Sequence, residues 1–294
     1  MADIKIGNIQ WFPGHMTKTK RMIAANLSLV DGVVALLDAR IPFSSANPDL
    51  AELVSGKPCM VLLNKSDVAD PNLTARWVQY YKEQGTPALA MDCISGKGTK
   101  QFLPTVREQL LKELLEKRKK AGMVGRPIRL MIVGIPNVGK SSFINKMAKS
   151  KRAKVEDRPG VTRTKQWVKV DEGVEFLDMP GVLAPKLDDQ QVALRLAFTG
   201  AIRDQVLDTE ALAMLLLEYL HENYPKSLLD RYKLETEETE GDKLLDLVGR
   251  KRGMLLSGGV VNIERAAATV LDDFRGAKLG RITLEAPPRK GEQS

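Results

Sequence analysis

Strand–helix alternation through the first two thirds of the chain, giving way to helices alone, predicts an α/β fold followed by a small all-helical C-terminal domain. Three observations carry that prediction. Apolar, β-branched runs occur at 30–37 (VDGVVALL), 58–63 (PCMVLL) and 128–133 (IRLMIV). Helical patterns lie between them, so the sheet is mostly parallel with helices on both faces. From about residue 188 the β-branched runs stop.

Taken in order, the spacing predicts helices over roughly 15–28, 46–55, 72–85, 99–120 and 140–149, with shorter strands at 87–91, 165–170 and 174–178. The segment KRKKAGMVGRP (117–127) is a basic, glycine-containing connector from the end of a long helix to the strand at 128–133. In the last third, Ile263, Ala266, Ala267, Val270, Leu271 and Phe274 recur at helical spacing as one apolar stripe. The acidic LETEETEGD (234–242) reads as an exposed linker between helices. With 294 residues the chain has material for two cores, and the expected domains are 1–184 and 185–294.

Composition narrows the class. The chain is 43% hydrophobic and 28% charged, ordinary for a soluble globular protein, and no apolar run approaches a membrane span. The N-terminus lacks a signal-peptide hydrophobic region, so the cytoplasm is the expected compartment and no membrane partner is expected. Cys59 and Cys93 have no metal-ligand spacing and read as small hydrophobes. Charge is uneven: residues 1–184 hold 29 Lys+Arg against 18 Asp+Glu, a net of +11, while 185–294 hold 16 against 19, a net of −3. Basic runs at Lys117–Lys120 and at Lys146, Lys149, Lys151, Arg152 and Lys154 suit a polyanion, with nucleic acid the leading candidate.

GIPNVGKS (134–141) matches G-x-x-x-x-G-K-[ST] between an apolar strand and a helix, the context that gives this motif its meaning. Gly134 and Gly139 let backbone N–H groups turn inward around phosphates, Lys140 supplies a point charge, and the Ser141 hydroxyl suits Mg²⁺. NKSD (64–67) follows another strand; Asp67 can accept from the two adjacent donors on the guanine edge, and adenine would leave it unpaired. Asn64 can bond the base from another side and Lys65 can lie along it. Ser95, in DCISGKG (92–98), resembles a loop that closes over the base, with Gly96 where alanine is usual. The nucleotide is therefore expected to be GTP. In DMPG, Asp178 fits a water-mediated Mg²⁺ contact and Gly181 an N–H to the γ-phosphate. Thr162 in DRPGVTRTKQ (157–166) is the expected switch ligand to Mg²⁺, with Thr164 the competing choice. The expected nucleotide set is Asn64, Lys65, Ser66, Asp67, Ser95, Asn137, Val138, Gly139, Lys140, Ser141, Ser142, Thr162 and Gly181.

The order of the motifs is permuted. An ordinary small GTPase presents the phosphate loop first, then the switches, NKxD and the base-closing loop; here NKSD and SGKG precede GIPNVGKS. The fold class is thus a circularly permuted P-loop GTPase domain followed by the helical domain. NIQWFPGHMTKTK, NKSD, GIPNVGKSS, RPGVTRTKQW and DMPG together resemble the ribosome biogenesis GTPase A family, in the permuted YlqF/YawG group, over nearly the whole chain. That resemblance implies GTP hydrolysis, a late precursor of the large ribosomal subunit as partner through its rRNA and proteins, and an RNA-binding C-terminal module. The −3 balance of 185–294 does not itself suggest RNA; Arg250–Arg252 and Arg275 to Arg281 are the local groups available for a basic strip. A monomer is expected away from the ribosome.

One piece is missing. Val182 stands where a Ras-like enzyme has its water-positioning glutamine, and an apolar side chain cannot orient water. Two residues are candidates to help. His15, in WFPGHM, follows a Pro-Gly turn; it either orients water, the catalytic part that the resemblance implies, or caps a helix or contacts RNA beside Lys18, Lys20 and Arg21. Asn137 either holds K⁺ against the phosphates or is a plain loop asparagine. Hydrolysis awaiting the subunit is the leading reading, and a GTP-gated clamp with incidental hydrolysis is the alternative. His221 reads as a helix-surface residue, and Trp11, Phe12 and Trp167 as packing groups more than base-stacking ones.

Overall fold

The computed structural model describes residues 13–123, 125–148, 166–171, 173–182 and 189–288, with side chains from Lys18 onward in the first helix. In chain order the first unit contains α1 (Pro13–Asn26), β1 (Gly32–Asp38), α2 (Pro48–Val54), β2 (Cys59–Asn64), α3 (Pro71–Glu83), β3 (Ala88–Ala90), α4 (Phe102–Thr105), α5 (Lys112–Lys120), β4 (Ile128–Gly134), α6 (Lys140–Met147), β5 (Gln166–Asp171) and β6 (Val174–Asp178). The strands form one sheet in the order β3-β2-β1-β4-β6-β5. All neighbours are parallel except the edge strand β5, which runs antiparallel to β6.

β1 joins the two halves of the permuted order. Val34 lies opposite Met60 of β2 on one side and Ile132 of β4 on the other. Because the strand is covered on both faces, nearly every residue of Gly32–Asp38 is buried, which is why its sequence is an unbroken apolar run. Phe102, Phe143 and Phe176 fill one side, with ring centroids 5.1 to 5.8 Å apart. Trp77 of α3 packs on Leu37, Val61 and Leu63.

The helix expected over 99–120 is broken. A 3₁₀ turn (Thr99–Gln101) leads into α4, a π turn spans Val106–Leu110, and α5 starts afresh. Pro104 has no N–H to continue the ladder, and Leu111 N–H reaches back to Val106 O (2.9 Å). The widened turn puts both Val106 and Leu111 into the core. The permutation connector is closed by Asp31, whose carboxylate pairs with Arg118 of α5 and accepts from the Arg129 N–H that opens β4.

The second unit covers 189–282 and contains α7 (Gln190–Phe198), α8 (Thr209–Asn223), α9 (Pro225–Tyr232), α10 (Gly241–Lys251) and α11 (Ile263–Arg275). α8 is its centre, burying Leu212, Ala213, Leu216, Leu217 and Leu220 against α10 and α11. Ala266, Ala267, Val270, Leu271 and Phe274 of the expected stripe are buried. The basic groups expected as a strip are mostly engaged internally. Arg250 pairs with Asp246, Arg252 lies over the Tyr232 ring (5.4 Å), and Arg275 binds Asp204 through two nitrogens while also donating to Ala197 and Phe198 carbonyls.

Residues 283–288 belong to the sheet unit, whereas the expected division put them with the helices. The reason is hydrogen bonding. Leu284 N–H donates to Arg40 O (2.8 Å), Trp77 Nε1 donates to Glu285 O (3.0 Å), and Glu285 accepts from the N–H groups of Phe43 and Ser44.

Candidate functional site

The sheet connections diverge between β1 and β4, and α/β proteins bind ligands beyond the carboxyl ends of strands at such a point. β4 ends at Gly134, whose φ of +155° and close approach to the Leu36 carbonyl (2.5 Å from an added Cβ) leave room for glycine alone. Asn137 takes a left-handed φ of +57°. Gly139 (φ +100°) opens α6, and a Cβ there would meet Asn64 Nδ2 at 2.3 Å. No side-chain hydrogen bond caps this helix start, and uncapped N–H groups at a helix start suit an anion. Ser141 and Ser142 stand in its first turn.

Lys140 is half-buried beside the loop, its Nζ donating to Gly134 O (3.2 Å) and Ile135 O (2.9 Å). Burial pushes its pKa down to about 8, against the opposing pull of Asp178. Asp178, at the end of β6, is raised from the usual carboxylate range by burial, with Lys140 and the Met179 N–H opposing. Its Oδ1 is buried without a hydrogen-bond partner, a costly arrangement that a hydrated cation would relieve. Gly181 lies against the phosphate loop; an added Cβ would come within 2.8 Å of Pro136 N and 3.0 Å of Lys140 Nζ. Val182 follows with its N–H bonded to Gly134 O (3.1 Å) and its side chain 1% exposed.

On the other side Asn64 ends β2 and ties two loops together. Its Nδ2 donates to Val138 O (2.7 Å) and its Oδ1 accepts from Cys93 N–H (3.0 Å). Lys65 has a left-handed φ of +62°, and its Nζ lies 3.0 Å from Asp38 Oδ2. Ser66 N–H bonds Met91 O (3.1 Å), leaving Asp67 exposed at the loop crest. Ser95 sits in a turn folded on Asp92, which accepts from the Ile94 and Ser95 N–H groups (2.8 and 3.0 Å).

Asn64, Lys65, Ser66, Asp67, Ser95, Asn137, Val138, Gly139, Lys140, Ser141, Ser142, Asp178 and Gly181 are therefore borne by the loops and helix start at this one edge. Thr162 and Thr164 lie outside the described residues, as do Trp11 and Phe12. For His15 only the backbone is described. Pro13 opens α1, so His15 stands in the first helical turn rather than beyond a separate Pro-Gly turn. Trp167 carries the Arg129 guanidinium over its ring at 5.0 Å, a packing contact.

The support beneath NKSD comes from residues outside every motif in the sequence. Asp38, at the end of β1, accepts from the backbone N, Nε and Nη2 of Arg40 and also from Lys65. Burial opposes its charge, but Arg40 and Lys65 outweigh it and hold the carboxyl far below the usual range. The available signal was an aspartate closing an apolar strand of a parallel sheet. Lys146 of α6, part of the basic run, donates from its Nζ to Ile94 O (3.1 Å), and its stem occupies the space beside Gly96 where an alanine methyl would stand.

Known proteins resemble this chain in sequence and in fold. The family model described as 50S ribosome-binding GTPase matches residues 129–250, starting at the strand that carries the phosphate loop and leaving NKSD upstream of it. Ribosome biogenesis GTPase A of Bacillus cereus is 45% identical over 97% of this chain and 96% of its own length, and that of Bacillus licheniformis is 47% identical over 95% and 98%. Among solved structures, GNP-bound YlqF from Thermotoga maritima is 31% identical, with a TM-score of 0.62 over 92% of this chain and 98% of that one. With its sheet, its permuted motif order and its full-length relatives in agreement, the chain belongs to the ribosome biogenesis GTPase A family of circularly permuted GTPases.

Proposed function

We propose that this GTPase binds a late precursor of the large ribosomal subunit and that the subunit completes its hydrolytic site. The observation that carries the reading is the burial of Val182: the position that orients water in a Ras-like site is packed into the core. The names of the Bacillus relatives and the 50S description of the matching family support the partner. The excess of positive charge in 1–184 supports contact with its rRNA.

In this scheme the N–H groups of the loop at Asn137, Val138 and Gly139 and the start of α6 hold the phosphates, with Lys140 turning from the loop carbonyls to the β/γ oxygens. Ser142 adds a contact beside them. Asn64, Lys65, Ser66, Asp67 and Ser95 hold the guanine, and Asp67 rejects adenine. Ser141 and Thr162 hold Mg²⁺, and Asp178 reaches it through water, which would satisfy the unpartnered Oδ1. The ion would neutralise charge developing on the transferring phosphoryl group. Gly181 donates its N–H to the γ-phosphate. Asn137 carries K⁺ in this reading; equal turnover in KCl and NaCl at matched ionic strength would remove the ion. His15 places the attacking water once the subunit is bound.

The test is GTP turnover with and without large subunits, with small subunits as control. Stimulation by the large subunit alone, abolished in His15→Ala with GTP binding intact, is expected. No stimulation, with GTP-dependent subunit binding retained, would instead identify a gated clamp. The protein acts as a monomer away from the subunit, which sedimentation checks.

A further inference from the structure

The segment 283–285 is tied by hydrogen bonds to the loops around NKSD. Thr283 Oγ1 donates to Ala39 O (3.2 Å) and accepts from Asp70 N–H (3.0 Å). Leu284 N–H donates to Arg40 O (2.8 Å). The Glu285 carboxylate, 7% exposed, is held by the N–H groups of Phe43 and Ser44 and by the Ser44 hydroxyl. Its backbone carbonyl takes the indole N–H of Trp77. Two of these partners bracket the base-reading loop: Asp70 lies three residues beyond Asp67, and Arg40 carries the Asp38 pair on which Lys65 rests.

We propose that Thr283, Leu284 and Glu285 are positioning residues for guanine recognition: the seated tail fixes the loop that presents Asp67, and so sets base affinity and selectivity. The inference rests on the nucleotide-site reading above. It places the end of the helical unit's chain, Ile282, one residue from the grip on the base loop. The base end of the nucleotide thus has a covalent route to the helices, separate from the one that leaves DMPG.

The contacts are all main-chain or buried, so displacing them shifts the loop rather than exchanging surface partners. The guanine 2-amino group is one of the two donors Asp67 accepts from, and inosine lacks it. A loosened loop therefore costs more for GDP than for inosine diphosphate, whereas general destabilisation costs both equally.

The experiment is calorimetric titration of full-length wild type, Glu285→Ala and Thr283→Val with GDP, inosine diphosphate and pyrophosphate. Glu285→Ala is expected to lower the GDP-to-inosine-diphosphate affinity ratio roughly three- to tenfold, the scale of one or two hydrogen bonds, and to leave pyrophosphate binding unchanged. Thr283→Val, near-isosteric, should show the same direction and carries the test if Glu285→Ala does not fold. An unchanged ratio in the folded variants overturns the proposal, as does equal loss of all three ligands. Failure of wild type to prefer GDP over inosine diphosphate would strike the nucleotide-site reading instead.

Discussion

At the scale of single residues, Lys140 and Val182 carry the sharpest consequences. Desolvation pushes the pKa of half-buried Lys140 down to about 8 before any phosphate arrives, and a bound phosphate raises it. The bound state thus holds the proton more tightly, so affinity is full below pH 8 and falls as pH rises above it, by up to about tenfold per unit. GDP titrations at pH 7 and pH 9 should show the fall, and a flat profile would contradict it. Val182→Gln does not rebuild a Ras-like site, because the side chain enters the core. It should lower stability by about 1–3 kcal/mol in thermal or urea unfolding without raising intrinsic turnover. Motif residues such as Lys140 were legible because their chemistry lies in local spacing. Asp38 and Arg40 were not, because their meaning depends on Lys65, brought alongside only by the pairing of β1 with β2.

At the scale of elements, strands announced themselves wherever both faces are buried, as in β1, β2 and β4. β3 was equally visible though only Ala88–Ala90 is paired, since turn residues flank it. The broken helix over 99–120 was hidden because a π turn keeps the apolar count and only shifts its phase. The tail was hidden for another reason: one threonine and one glutamate carry no periodicity, and their partners lie more than two hundred residues upstream. Packing of α6 on the sheet rests on Phe143, fully buried between Phe102 (5.1 Å) and Phe176 (5.5 Å). Phe143→Ala should cost about 3–5 kcal/mol in the unfolding midpoint analysis. A loss below about 1 kcal/mol would mean that the ring trio does not anchor the phosphate-loop helix.

At the scale of the whole molecule, charge and connectivity decide behaviour. The net +11 of residues 1–184 against −3 for the remainder gives the sheet unit the electrostatic share of docking on a polyanion. Binding to large subunits should therefore weaken several-fold or more between 50 and 200 mM KCl, read by cosedimentation, and salt-independent binding would remove the rRNA reading. No described helix is long and apolar enough to cross a membrane. The pairing of β1 with both β2 and β4 also fixes what a growing chain can do. The base-reading loops emerge first, but their central strand lacks its second neighbour until β4 is made, and the segment 283–285 that fastens Arg40 and Asp70 follows later still. Such distant pairings make assembly slow. The base loops are thus fastened only after the phosphate loop has been made, so guanine recognition matures after phosphate binding although its residues are translated first.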